Sequence, residues 1–281
     1  MASQLPIPKT FKLFIGGKFP RSESGHTFQI RIPNGRLLAN AAKASRKDLR
    51  EAIRNSRSAQ GGWSRRTAYN RGQVLYRVAE MLDARREEFT GILIDGGSEA
   101  EKAKSEVERT VERWIWYAGW ADKVVQVLGS VNPVAGSFFN FTVPEPTGVV
   151  VHSVPDETPL LALTSRLAPA IVTGNTSVML VGEGAALISM SFAEVLATSD
   201  IPPGVVNILT GSVTDLLPWA LGHLDVNAVD LTGIPADLPD ELLTETAENL
   251  KRLVYGDPLA ASPEVISCFL EMKTVWHPIG R

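Results

Sequence analysis

The sequence predicts an α/β fold built on a mostly parallel, doubly wound sheet, and three observations predict it. Residues 145–174, EPTGVVVHSVPDETPLLALTSRLAPAIVTG, read as a buried strand, a tight turn and a returning helix. The β-branched run Val149-Val150-Val151 suits a strand covered on both faces. Strand-like and helix-like segments then alternate to about residue 255, the pattern of parallel strands joined by crossover helices. The turn Val154-Pro155-Asp156-Glu157-Thr158-Pro159 falls at the carboxyl end of the first such strand, where a doubly wound sheet holds its ligand.

Taken in order, Leu13–Ile15, Gly16-Gly17 and Lys18-Phe19 read as a small hairpin. Residues 27–32 alternate as a strand, Pro33-Asn34-Gly35 is a turn, and residues 37–42 form the next strand. Ser45 with Asp48 predicts a capping box. The first helix is expected over about 46–60, stopping at Gly61-Gly62. A second, over about 68–93, places Val74, Leu75, Val78, Met81, Leu82 and Phe89 on one face and ends near Gly96-Gly97. Ser98 with Glu101 is expected to cap a third, which turns Val107, Val111, Trp114, Ile115 and Ala118 toward a core. The crowding of Trp114, Trp116, Tyr117 and Trp120 reads as packing between helices. Residues 129–146 are extended.

Pro159 starts the helix after the first turn. Leu160, Leu161, Leu163, Leu167 and Ile171 give its apolar stripe, and Gly174-Asn175 closes it. Strands are expected at 176–181, 205–209, 227–231 and 252–255, with helices at 185–198, 214–221 and about 237–250. A last strand runs over 269–277.

The 28 basic and 31 acidic residues are mixed along the chain, which leaves no electrostatic footprint for nucleic acid or an anionic membrane. No apolar run reaches the length of a membrane span, and MASQLPIPKTFK lacks the apolar core of a secretory signal. The single cysteine, Cys268, excludes a disulfide framework within the chain and fits a reducing compartment. A cytoplasmic protein is the expectation.

Candidate chemistry is sparse. His26, His152, His223 and His277 are scattered without a metal-ligand spacing and read as surface or structural residues; no metal site is expected. Cys268 in Ile266-Ser267-Cys268-Phe269 has no neighbouring base or cation to activate a thiol, so it reads as a small hydrophobe. No GxGxxG loop follows a strand. Residues 210–215 hold one glycine, Gly211, and Thr232-Gly233-Ile234-Pro235 has the composition of an ordinary turn.

Several ordered segments nevertheless carry a resemblance. LFIGGKF, SGHTFQI, Trp116 to Ala121, EPTGVV, LAPAIVTGNTSV, IPPGVVNILTG and Asn249 to Arg252 resemble the aldehyde dehydrogenase superfamily in order and spacing from about 11 to 255. The closing FLEMKTVW, Phe269 to Trp276, resembles the family's last strand, and with the residues after it the cysteine-lacking second module of two-module members. The resemblance implies N-terminal helices with a Rossmann-like, NAD-binding-type sheet over 1–128 and 147–258. It also implies a small projecting oligomerisation sheet over 129–146 and 264–281. Cofactor-binding positions carried over are Glu183, Gly211, Thr232 and Gly233.

The departures shape the functional expectation. The family turn Pro-Trp-Asn-Phe-Pro corresponds to Pro155-Asp156-Glu157-Thr158-Pro159, so a carboxylate, Glu157, replaces the amide that donates to the oxyanion. A carboxylate cannot donate that hydrogen bond, and losing one such donor costs on the order of 10²- to 10³-fold in rate. In Lys-Pro-x-Glu, matched by Leu180 to Glu183, the ribose-binding lysine is replaced while the glutamate stays. Val213 stands where a second glycine is usual, and Ile234 replaces the serine of Phe-Thr-Gly-Ser. The general-base glutamate would fall near Gly256, and after Pro258 the chain passes almost directly to the last strand. The expectation is a non-catalytic subunit without the cysteine-bearing catalytic domain, with no catalytic residue and absent or weak NAD(P) binding. It would form a homo-dimer or a hetero-oligomer with a full-length catalytic aldehyde dehydrogenase. Two alternatives stand beside it, an NAD(P)-dependent aldehyde oxidoreductase using Cys268 and a nucleotide-binding sensor.

Overall fold

The computed structural model describes residues 9–32, 35–234 and 240–280. Strands β1 (Lys9–Phe11), β2 (Thr27–Arg31) and β3 (Leu37–Ala42) precede five helices, α1 (Arg46–Ser64), α2 (Ala68–Asp83), α3 (Arg86–Asp95), α4 (Ala100–Ala118) and α5 (Val124–Leu128). Strands β4 (Ser130–Asn132) and β5 (Phe138–Pro146) follow. The alternating half then runs β6 (Val149–Val154), α6 (Pro159–Val172), β7 (Thr176–Val181), α7 (Ala186–Ala197), β8 (Val206–Thr210), α8 (Val213–Leu221), β9 (Ala228–Asp230), α9 (Asp240–Ala247) and β10 (Arg252–Val254). Helix α10 (Pro263–Ser267) and strand β11 (Leu270–Pro278) close the described chain.

The α/β class follows the sequence pattern. Strands β6, β7, β8, β9 and β10 form one parallel sheet in the order β10-β9-β6-β7-β8. All residues of β6, β7 and β8 are buried, the polar His152, Ser153, Thr176, Ser177, Asn207 and Thr210 among them, as in strands covered on both faces. The chain steps outward from β6 to β8 and then crosses to β9 on the other side, so the order reverses between β6 and β9. At the far edge Phe14 bridges Ile208, and the hairpin closed by Ile15 and Lys18 covers part of β8. Strands β11, β5 and β4 form a separate antiparallel sheet, and β1, β3 and β2 a third.

Tertiary contacts moved several boundaries. Gly61 and Gly62 lie inside α1 rather than ending it, because Trp63 is buried and its Nε1 donates to the Ile171 carbonyl at 2.8 Å. That anchor outweighs the roughly 1 kcal/mol cost of a helical glycine. The single helix expected over 68–93 is two, broken at Ala84-Arg85, where Arg85 reaches Glu88 and, at 3.1 Å, Glu194 of α7. Helix α4 starts after Glu99 with no side-chain cap, so the Ser98–Glu101 box does not form. Ile115 points outward, 44% exposed. Helix α10 is not among the helices the sequence pattern predicts, and Cys268 is its C-cap. Residues 264–269, placed with the arm by resemblance, lie in the main body, where Val265 and Phe269 pack with Val150, Ala170, Ala228 and Val254. The turn at Pro33-Asn34 and the start of the helix expected from 237 lie outside the described residues.

The capping box at Ser45 forms as read. Its Oγ accepts from Asp48 N at 3.3 Å, and the Asp48 carboxylate accepts from Ser45 N at 2.8 Å. Asp48 also holds Ser22 Oγ at 2.7 Å, tying α1 to the N-terminal strands. Ser45→Ala is expected to cost about 1 kcal/mol by urea unfolding; an unchanged midpoint would show that Asp48 alone holds the helix start.

Candidate functional site

The crevice between β6 and β9, at the carboxyl ends of the parallel strands, is the place where this architecture binds ligands. Four loops surround it: residues 155–158 after β6, 182–185 after β7, 211–212 after β8 and 231–234 after β9. The sheet therefore gathers the four carried-over positions, Glu183, Gly211, Thr232 and Gly233, onto one rim. Glu183 is exposed there. Gly211 has φ +138 and lies against Lys43, a conformation that needs glycine. Gly233 packs on Pro155 so closely that a Cβ would sit 3.0 Å from its ring atoms, which brings the loops after β6 and β9 into contact. Thr232 turns inward. Its hydroxyl donates to Asp230 Oδ1 at 2.5 Å and its amide to the same oxygen at 3.2 Å, so the hydroxyl is committed to the protein.

The heads of the helices facing the rim are filled by the chain's own side chains. Thr158, a β-branched residue at φ 48 and ψ 54, offers α6 no side-chain cap. Glu106 of α4 supplies one instead, accepting from Leu160 N at 2.8 Å and Leu161 N at 3.3 Å. Burial pushes the Glu106 carboxyl above its ordinary pKa, and the two amides offset part of that rise. At α7 the cap comes from the turn after β6: Asp156 Oδ1 accepts from Ala185 N at 3.1 Å. Gly182 and Gly184 make room, since a Cβ at either would lie 2.9 Å from the Asp156 carboxyl group. At α8, Ser212 Oγ accepts from Asp215 N at 3.2 Å. Helix N-termini of this kind bind anions in nucleotide-binding folds, and here two of three already hold a carboxylate.

Below the rim lies a sealed polar column. Asp230 Oδ2 accepts from Arg166 Nε at 2.7 Å and from His152 Nδ1 at 3.1 Å, and His152 Nε2 meets Ser177 Oγ at 3.2 Å. Burial lowers the His152 pKa and keeps the ring neutral, so with Nδ1–H directed at Asp230 the Nε2 accepts the serine hydroxyl. The order Ser–His–Asp matches that of a nucleophilic triad. All three residues are 0% exposed, so Ser177 has no access to a substrate and the column is structural. His152 read as an isolated histidine in sequence; its partners come from β7 and β9. A charged residue inside the buried strand Ala228–Asp230, and Glu106 on the apolar stripe that carries Ala103, Val107 and Thr110, were the available signals.

Cys268 is half-buried at the end of α10. Among the described residues no group of three or more His, Cys, Asp or Glu could hold a metal ion, and no helix is long and apolar enough to cross a membrane.

The aldehyde dehydrogenase family profile matches residues 19–262. The chain belongs to the aldehyde dehydrogenase family. A putative aldehyde dehydrogenase, DhaS, of Bacillus subtilis is 30% identical over 87% of this chain and 50% of its own length. Retinal dehydrogenase 2 of Mus musculus is 31% identical over 87% of this chain and 48% of its own. The NAD+ complex of an aldehyde dehydrogenase from Bacillus cereus superposes with a TM-score of 0.79 at 27% identity, over 88% of this chain and 50% of that one. The chain thus spans about half the length of the relatives it matches. Leu180, in β7, is fully buried, while Asp156 and Glu157 stand at the rim as exposed carboxylates.

Proposed function

We propose that this chain is a non-catalytic subunit of the aldehyde dehydrogenase family, assembling through its antiparallel arm with itself or with a full-length catalytic member. The observation that carries the reading is the occupation of the rim by Glu106, Asp156 and Ser212 at the heads of α6, α7 and α8. The residues do not fit a dinucleotide. The loops after β6, β7, β8 and β9 present Asp156, Glu157 and Glu183 and no lysine or arginine among the described residues. Lys43, the cation beside Gly211, is paired with Asp215 at 3.7 Å. Two phosphates brought to this rim would meet carboxylates at close range in a partly desolvated site.

The chemistry is equally short of parts. Glu157 cannot donate to an oxyanion, and Cys268 has no activating base within hydrogen-bonding reach among the described residues. Only residues 255–269, with the short helix α10, connect β10 to β11, which leaves no room there for a domain bearing a nucleophile.

The purified chain, given aldehydes with NAD or NADP, is expected to form no NADH or NADPH above background, and calorimetric titration with either cofactor is expected to show no saturable heat. In native lysate the tagged chain is expected to co-purify an active family member or a second copy of itself. Aldehyde-dependent NADH formation abolished by Cys268→Ala would replace this reading with an active oxidoreductase. Saturable NAD binding without turnover would favour a sensor, with the exposed Glu183 holding the ribose.

A further inference from the structure

We propose that the cavity enclosed by α1, α8 and α9 binds a small zwitterion, an amino acid whose carboxylate and ammonium are set apart. Arg46 and Arg50 take the carboxylate, and Glu245 and Glu248 the ammonium. None of these four residues belongs to the loops of the rim, so the site is separate from the crevice between β6 and β9.

The cavity has a volume of about 640 Å³, within the range of small-molecule sites. Its positive wall is the start of α1. The Arg46 guanidinium carbon lies 3.5 Å from the ring centroid of Trp219, an indole of α8 that is still 46% exposed. That contact steadies the cation without using its N–H donors. Arg50, one turn on, makes no hydrogen bond or ion pair among the described residues. Lys47 is already taken by Glu23, at 2.6 Å. The negative wall is the end of α8 together with α9. At Gly222, the C-cap of α8, a Cβ would lie 2.8 Å from Glu245 Oε2, so the bare backbone lets that carboxylate rest against the helix end. A helix C-terminus favours a cation, yet the last turn of α8 carries no basic residue. Glu248 lines the same wall, and neither glutamate has a hydrogen bond or ion pair among the described residues. The nearby Lys251 is committed to backbone, donating to the carbonyls of His223 at 2.9 Å and Val226 at 2.7 Å.

Charge chooses the ligand. Arg46 and Arg50 are like charges four residues apart on one helix face, an arrangement that is unfavourable until an anion lies between them. Glu245, set on a helix end of its own sign, calls for a cation. Burial lowers the pKa of His223, with Lys251, Arg50 and Arg57 adding to the fall and Asp225 opposing it, so this ring in the cavity wall is neutral at pH 7. Two unpaired cations and two unpaired anions therefore stand on different helices of one cavity. A phosphate or a nucleotide would meet the two glutamates, and a diamine would meet the two arginines. A zwitterion satisfies both walls. The paired guanidinium groups suit the two oxygens of a carboxylate, and an ammonium brings three donors to the glutamates and the carbonyl end of α8.

Calorimetric titration of the whole chain with ε-aminohexanoate is expected to show saturable binding that weakens in high salt. Hexanoate and hexylamine each carry one of the two charges, and each is expected to bind at least about ten-fold more weakly, having lost its charge-assisted bonds at one wall. Arg50→Gln and Glu245→Gln alter exposed side chains and are expected to leave circular dichroism unchanged. Each is expected to weaken ε-aminohexanoate binding about ten- to a hundred-fold. Glu245→Gln is expected to leave the residual hexanoate affinity as it was, and Arg50→Gln that of hexylamine, a split that a merely structural role would not produce. Glu183→Gln, on the rim, is expected to change nothing. Absence of saturable binding would overturn the inference, as would hexanoate binding as tightly as ε-aminohexanoate, which marks a plain anion patch. Binding that survives both substitutions would overturn it as well. So would saturable binding of AMP that Arg50→Gln abolishes, which would make the cavity a nucleotide site.

Discussion

Asp230→Ala is expected to lower the stability of the fold by about 3–5 kcal/mol, the cost of stranding a buried charge when its partner is removed. Arg166 is the stranded charge: it is 2% exposed, and its Nε bonds to Asp230. His152 and Thr232 lose the same acceptor. Urea unfolding at neutral pH checks the figure, and a loss below about 1 kcal/mol would mean that water or Ser177 takes over the column.

The acid limb follows from the same cluster. Burial pushes the Asp230 carboxyl up, but the hydrogen bond from His152 and the Arg166 charge outweigh it and hold the pKa below the ordinary carboxylate range. Its contribution is therefore complete above about pH 4 and is lost as pH falls toward the folded value. Burial lowers the His152 pKa against the opposing pull of Asp230. The unfolded chain thus binds the histidine proton more readily, and stability declines from about pH 6.5 downward. Both slopes have the same sign. His152→Gln is expected to shrink the drop in urea midpoint between pH 7.5 and 5.5; an unaltered drop would assign the slope to other groups.

Phe269→Ala is the second large effect, at about 3–5 kcal/mol for a fully buried aromatic. The ring lies 5.5 Å from the His152 ring and 5.5 Å from the Arg166 guanidinium. Its carbonyl accepts from Asn175 Nδ2 at 2.8 Å. Phe269 therefore joins the start of β11 to the polar column, and its loss is expected to speed tryptic cleavage at Lys273 as well as lower the urea midpoint. Stability loss without faster cleavage would show that β5 alone holds β11 in place.

The parallel sheet was legible because its strands are short β-branched runs bounded by turn residues, a pattern that survives without knowledge of neighbours. Helix ends were less so. The Gly61-Gly62 stop gave way to one buried indole, Trp63, and the long second helix broke where Arg85 found Glu194. In both cases a contact distant in sequence outweighed a local preference of about 1 kcal/mol. For the candidate site, the rim residues were placed by resemblance. The groups that fill it, Glu106 and Asp156, were not placed, because each acts on a helix head distant from it in sequence.

By itself the sequence determined the α/β class, the Ser45 cap, the extended segments at 129–146 and 269–277 and the carboxylate at Glu157. These depend on local period, turn chemistry and residue type. Only the tertiary structure decided that Asp230, Arg166, His152 and Ser177 form one sealed column and that Thr232 spends its hydroxyl on Asp230. Those facts depend on which strand lies beside which, and adjacency across a sheet is set by packing of the whole chain rather than by neighbours in sequence.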